Sequence, residues 1–190
     1  LAEDNFLVVE SVKKAVEKGV DFSKYAVNDS VPLVSILYAG PGEATEDDDG
    51  EDYIWPCEFD IDEDIEGVHF NSYFVGNELY YDGSLMGMGV FCHEFGHALG
   101  LPDFYCTNYS YSFDDGLSNW SIMDTGAYVK DSRSPVGYNA YERSYLGWLD
   151  IPELTEEGDV TLDNINDEAG NPAVLIRNSQ KEYFILENRQ

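Results

Sequence analysis

His93 and His97 stand four residues apart, with Glu94 directly after the first, inside the stretch Gly89-Val-Phe-Cys-His-Glu-Phe-Gly-His-Ala-Leu-Gly-Leu-Pro-Asp103. On a helix, four residues turn through about 400°, so both imidazoles leave the same face, one turn apart. Nitrogens placed in that way can reach a single zinc ion at about 2.0–2.1 Å. Glu94 is then beside a water on that metal without being a ligand. It is the candidate general base, taking a proton as the water attacks a carbonyl and passing it to the leaving amine. Gly100 ends the helix, because a residue without Cβ adopts the left-handed conformation that turns the chain sharply. That turn makes Asp103 a candidate third ligand and leaves a fourth position for water and substrate, as a catalytic site requires. His69 is the other histidine in the chain and the alternative third donor. An aspartate ligand would bring a negative charge to the metal and blunt its Lewis acidity.

These residues need a helix beneath a sheet. Ser84 reads as an N-cap for a helix running to about Leu99, with Gly87, Gly89 and Gly96 kept for close packing against the sheet. Residues 68–75 read as a strand that Gly76-Asn77 turns back into Leu79-Tyr80-Tyr81. Leu33 to Tyr38, after Pro32, reads as a buried strand. Residues 2–18 read as a helix with Phe6, Val9, Val12 and Val16 on its apolar stripe and Gly19 as its stop. Ser134 and Pro135 open a further helix to about Leu146, in which Glu142 and Arg143 are expected to form an ion pair. Runs at 160–162, 173–177 and 183–186 are expected to be β structure. The reading is an α+β fold, with residues 1–150 as the catalytic domain and 151–190 as a β-rich C-terminal segment that is part of, or truncated from, a following region.

The 190 residues include 43% hydrophobic and 14% aromatic residues, enough for a buried core, and carry a net charge of −28. A field of that sign repels phosphate backbones and anionic lipid surfaces, so nucleic-acid and membrane-surface binding are not expected. No apolar run approaches the roughly 20 residues of a membrane span. The opening Leu-Ala-Glu-Asp has none of the marks of a signal peptide, and the reading is of a processed or excised piece. Residues 43–52 and Glu58 to Glu66 are acidic runs, expected to be solvated. Asp60, Asp62 and Asp64 are spaced like a calcium loop, but Ile65 and Asn71 stand where its glycine and bidentate glutamate belong, which excludes an EF-hand. Asp114 and Asp115, in the long loop 101–120, are candidates for Ca2+. Cys92 reads as a small buried hydrophobe. Cys57 and Cys106 flank the site and are candidates for a disulfide.

His93 to Asp103, HEFGHALGLPD, resembles the long zinc-binding motif of the metzincin peptidases, HExxHxxGxx(H/D). The words Tyr38-Ala-Gly, Ile54-Trp-Pro, Gly100-Leu-Pro-Asp-Phe-Tyr, Trp120-Ser-Ile-Met123, Val136-Gly-Tyr-Asn-Ala-Tyr-Glu-Arg, Leu146-Gly-Trp-Leu and Glu187-Asn-Arg-Gln190 narrow the resemblance to the immune inhibitor A family of secreted bacterial metallopeptidases. The resemblance implies a zinc endopeptidase acting on polypeptides outside a bacterial cell or at its surface; the chain is read as a monomer. It implies a twisted sheet with backing helices, a rim strand just before the zinc helix, and Asp103 rather than a third histidine on Zn2+. It also implies that Met123 forms the methionine turn, a packing floor under the metal. Tyr128 and Tyr109 are candidates to stabilise the oxyanion. The rival readings are a catalytically inactive secreted metal-binding or adhesion module, and a calcium-stabilised surface protein. An intact Glu94 argues against the first.

Overall fold

The computed structural model describes residues 2–45, 53–108, 116–167 and 170–189. Among the described residues the chain is mixed α/β, with a three-stranded and a two-stranded sheet and a few helices. It forms two compact units, Leu1–Pro102 with Ala127–Pro135, and Asp103–Gly126 with Val136–Gln190.

The first unit opens with α1, Ala2–Glu17. Its buried stripe is rotated from the expected one: Val8 and Val12 are fully buried, whereas Phe6 is 69% exposed. Residues 8 and 12 are one turn apart and face the sheet together. Burying each valine stabilises the fold by about 1.5–3 kcal/mol. They pack with Val31, Cys57, Ile61, Ile65, Phe70, Tyr73 and Val75 into one cluster.

Strand β1, Ser30–Pro41, runs parallel to β3, Val68–Leu79, and β2, Cys57–Ile65, pairs antiparallel with β3 on its other side. Among the described residues, the strand before the zinc-motif helix is therefore the sheet's centre, and β1 and β2 are its edges. Nor does β3 turn at Gly76-Asn77; it continues through them to Leu79. Gly76 is there for space, since a Cβ would lie 2.4 Å from Phe74 Cζ. The hairpin turn is instead Glu66-Gly67, where both residues have positive φ (51° and 81°) and Ile65 pairs with Val68. Two left-handed residues in a two-residue loop suit the right-handed twist of the strands. Strand β2 carries its apolar Cys57, Ile61 and Ile65 toward α1 and turns Glu58 and Asp60 to the other face of the sheet.

His69 sits between two of those carboxylates, with Nδ1 2.9 Å from Asp64 and Nε2 3.2 Å from Asp62. The hydrogen bond to Asp64 holds its pKa above the ordinary 6.5, aided by the negative charge of both aspartates. A raised histidine contributes stability below its unfolded value and loses it as pH rises through the folded one. An NMR titration should place the His69 midpoint above 6.5, and Asp64→Asn should lower it. A midpoint at or below 6.5 in the parent would show that the clasp does not form.

The zinc-motif helix, α2, spans Gly89–Ala98 with Met88 at its N-cap, so it begins later than Ser84. Ser84 instead closes a turn, its amide donating to Asp82 Oδ1 at 2.8 Å, and the Met86 amide donates to the Glu78 carbonyl. Gly87 and Gly89 do serve close packing, but against segment 127–135 rather than the sheet. A Cβ on Gly89 would lie 1.8 Å from the Ala127 carbonyl oxygen, and one on Gly87 would lie 2.1 Å from Ser132 backbone. The Gly89 amide donates to the Ser132 carbonyl at 2.9 Å. Helix α2 crosses the sheet on the face opposite α1. Tyr73 and Val75 belong to the α1 cluster, while Phe74 between them meets Phe91 edge-on at 5.2 Å.

In the second unit, α3 is only Ala140–Tyr145. Its N-cap is Asn139, not Ser134, because Asn139 and Glu142 form a reciprocal capping box. The expected Glu142–Arg143 pair is replaced by separate duties. Glu142 is fully buried and accepts from Ser121 Oγ at 2.5 Å, while Arg143 Nε donates to the Tyr138 carbonyl at 2.8 Å. Strands β4, Ala173–Arg177, and β5, Tyr183–Glu187, form an antiparallel pair, and residues 160–162 are not in a strand. Ala140, Ile165 and Ala173 make this unit's small core. The Cys57–Cys106 disulfide is not formed: Cys57 is buried in β2 and Cys106 is exposed, its thiol donating to the Asn108 carbonyl. Burial pushes the Cys92 thiol up, as for a half-buried apolar-like residue.

Candidate active site

Helix α2 ends as the sequence predicts. Gly100 has φ +92°, its amide donates to the His97 carbonyl at 2.8 Å, and the Leu101 amide donates to the Gly96 carbonyl at 3.0 Å. These two bonds form a Schellman motif, which satisfies the last carbonyls and folds residues 101–103 back toward the helix.

That fold-back also orients the second histidine. Nδ1 of His97 is 2.8 Å from the Leu101 carbonyl oxygen. A carbonyl only accepts, so Nδ1 carries the hydrogen and Nε2 keeps its lone pair for a metal. The Nε2 atoms of His93 and His97 are 3.1 Å apart. Two donors bound to zinc at about 2.05 Å with tetrahedral angles are separated by about 3.3 Å. The pair therefore fits zinc. Asp103, half-buried, is two residues beyond Leu101. Along the unbroken stretch 93–103, His93, His97 and Asp103 offer ligand atoms within 4.8 Å of one another. His69, the alternative donor, is engaged with Asp62 and Asp64 on the hairpin.

Glu94 is half-buried on α2. Tyr128, on the segment that packs over Gly89, is close enough to feel its charge. Burial is the larger cause of the raised Tyr128 pKa, and the Glu94 carboxylate adds to it, with a further increase from Tyr80. The Tyr80 hydroxyl donates to Ser132 Oγ at 3.2 Å and ties the same segment down. Met123 is fully buried in the second unit, where its amide donates to Ser121 Oγ and its carbonyl accepts from the Phe104 amide, both at 2.9 Å. Tyr109, Asp114 and Asp115 lie outside the described residues, as do residues 46–52 of the first acidic run. The residue that sequence reasoning missed is Leu101, whose backbone carbonyl fixes the His97 tautomer. The signal for it was present, since Gly100 dictates where the next carbonyls point.

The chain resembles proteins already known. It is 29% identical over 183 residues to immune inhibitor A of Bacillus thuringiensis subsp. alesti, covering 80% of this chain and 26% of that protein. It is 30% identical over 107 residues to the pre-pro-metalloprotease PrtV of Vibrio cholerae serotype O1, covering 51% of this chain and 12% of that protein. The chain thus spans about a quarter or less of the relatives it matches. Residues 27–148 match the family described as immune inhibitor A peptidase M6, catalytic domain, and that match holds β1 through β3, the whole of the zinc-motif helix and α3. On this match, over most of its length, the chain belongs to the immune inhibitor A (M6) family of metallopeptidases.

Proposed function

We propose that the chain is the catalytic part of a zinc-dependent endopeptidase, with His93, His97 and Asp103 as the metal ligands and Glu94 as general base and acid. The observation that carries this reading is the imidazole pair, with Nε2 atoms 3.1 Å apart and the His97 tautomer fixed by Leu101. A zinc ion held by His93, His97 and Asp103 would supply Lewis acidity to a water and to the scissile carbonyl. Glu94 takes the proton from the attacking water and delivers it to the leaving amine. Asp103 brings a negative charge that two neutral imidazoles lack. The Tyr128 hydroxyl, whose pKa is raised by burial and by the Glu94 charge, would donate to the oxyanion that develops on the carbonyl. Met123 would take the floor role that the metzincin resemblance implies.

The finer fold reading is metzincin-like, with residues 1–150 catalytic and 151–190 a β-rich segment. An antiparallel edge strand beside the zinc helix supports it, since such an edge offers backbone groups to an extended polypeptide. The reading also places the protein outside the cell, in keeping with a relative whose name describes a pre-pro-metalloprotease.

Metal removal tests the proposal. The purified chain should hold about one zinc; a chelator should abolish cleavage of a denatured protein, and zinc should restore it. Restoration by calcium alone, with no zinc bound, would sink the reading.

A further inference from the structure

Strand β2 brings Glu58 and Asp60 to the face of the sheet that α2 covers, because they pair with Phe74 and Ser72, and Phe74 meets α2. Two residues apart on one strand, their carboxylates are spaced about 7 Å along it. They line a cavity of about 430 Å³ whose wall also includes His97, Ser72, Phe59 and Pro32. The cavity thus reaches one of the two histidines of the zinc motif.

Glu58 is half-buried there, which is costly for a carboxylate without a cation. Burial raises its pKa first and the Asp60 charge raises it further, against lowering by Ser72 and His97. The imidazole cannot donate to Glu58, because Nδ1 of His97 is given to Leu101 and Nε2 faces His93. Pro32 and Ala98 supply apolar wall for an alkyl stem, the way a long cationic side chain is usually seated. The net charge of −28 draws cationic peptides toward the whole surface.

We propose that Glu58 and Asp60 are specificity-determining residues that seat a lysine or arginine side chain of the substrate in this cavity. The inference rests on the peptidase reading above and deepens it by naming a substrate class.

The test uses the zinc-loaded chain and a set of unstructured peptides that carry lysine or norleucine at each position around the scissile bond. At one position, lysine should raise kcat/KM about tenfold over norleucine, the size expected for a hydrogen bond to a charged group. In Glu58→Gln/Asp60→Asn that ratio should fall to within about twofold, and zinc content and circular dichroism should match the parent. No lysine preference at any position, or a preference that survives in the double variant, would overturn the inference while leaving peptidase activity standing. Calorimetry on Glu94→Gln separates the two readings. If the parent cuts nothing, the peptidase reading fails, and this variant still decides the subsite. Tighter binding of the lysine peptide than of its norleucine twin supports it, and equal binding overturns it.

Discussion

Glu94→Gln is expected to lower kcat/KM on a denatured protein substrate by about 10²–10⁴-fold, the range for loss of a general base. The substitution keeps the shape of the side chain and removes its ability to accept a proton. Because the metal is assigned to His93, His97 and Asp103, zinc content should not change. Thermal stability should not fall either, since Glu94 is only half-buried. A second readout comes from Tyr128, whose pKa is raised first by burial and then by the Glu94 charge. Removing that charge should lower the Tyr128 midpoint in an ultraviolet titration while burial keeps it above the ordinary 10. Cleavage at the parent rate would end the case for Glu94 as base, whatever the metal content.

The largest expected loss of stability comes from Glu142→Ala. Glu142 is fully buried, accepts from Ser121 Oγ and the Asn139 amide, and donates its own amide to Asn139 Oδ1. Truncation leaves a buried hydroxyl and a buried amide without their acceptor and opens a cavity. We expect a loss of about 3–5 kcal/mol, seen as a fall in Tm of about 10 °C. Ser121 also holds the Met123 amide, so the variant should loosen the backbone around a fully buried methionine. Glu142→Gln is the informative companion. Burial is the largest influence on Glu142 and raises its pKa above 4.5, outweighing Ser121 and Asn139, which lower it. The folded chain therefore holds this proton more tightly than the unfolded one. The glutamate's contribution to stability must decline as pH rises from 4.5 toward the folded value. In the glutamine variant that decline should be absent; an unchanged pH profile would mean that Glu142 is not the group responsible.

Much of the site was legible because its determinants are local. The four-residue spacing of His93 and His97, and the glycine that ends their helix, require no knowledge of the rest of the fold. Strand β2 was not read as a strand because Glu58, Asp60 and Asp62 suggested a solvated run. The alternation Cys57-Glu-Phe-Asp-Ile-Asp62 carries the period of two that marks an edge strand. What concealed it was its net charge, which an edge tolerates and a central strand does not. The helix starts at Ser84 and Ser134 failed for another reason. A cap residue is only a local option, and tertiary contacts chose Met88 and Asn139 instead. The apolar stripe of α1 was misphased because Phe6 is more hydrophobic than Val8 in isolation, whereas the sheet decides which face is covered. The disulfide failed because flanking a site in sequence says nothing of where a thiol lies in depth.

The first unit is discontinuous: Ala127–Pro135 returns to it after an excursion through the second. Those residues cover Gly87 and Gly89 at the start of the histidine helix and bond the Gly89 amide. During synthesis, residues up to Asp103 can emerge with all three proposed metal ligands yet still lack the piece that closes the helix start. The nascent chain must therefore wait for residue 135 to leave the ribosome before its proteolytic centre can settle.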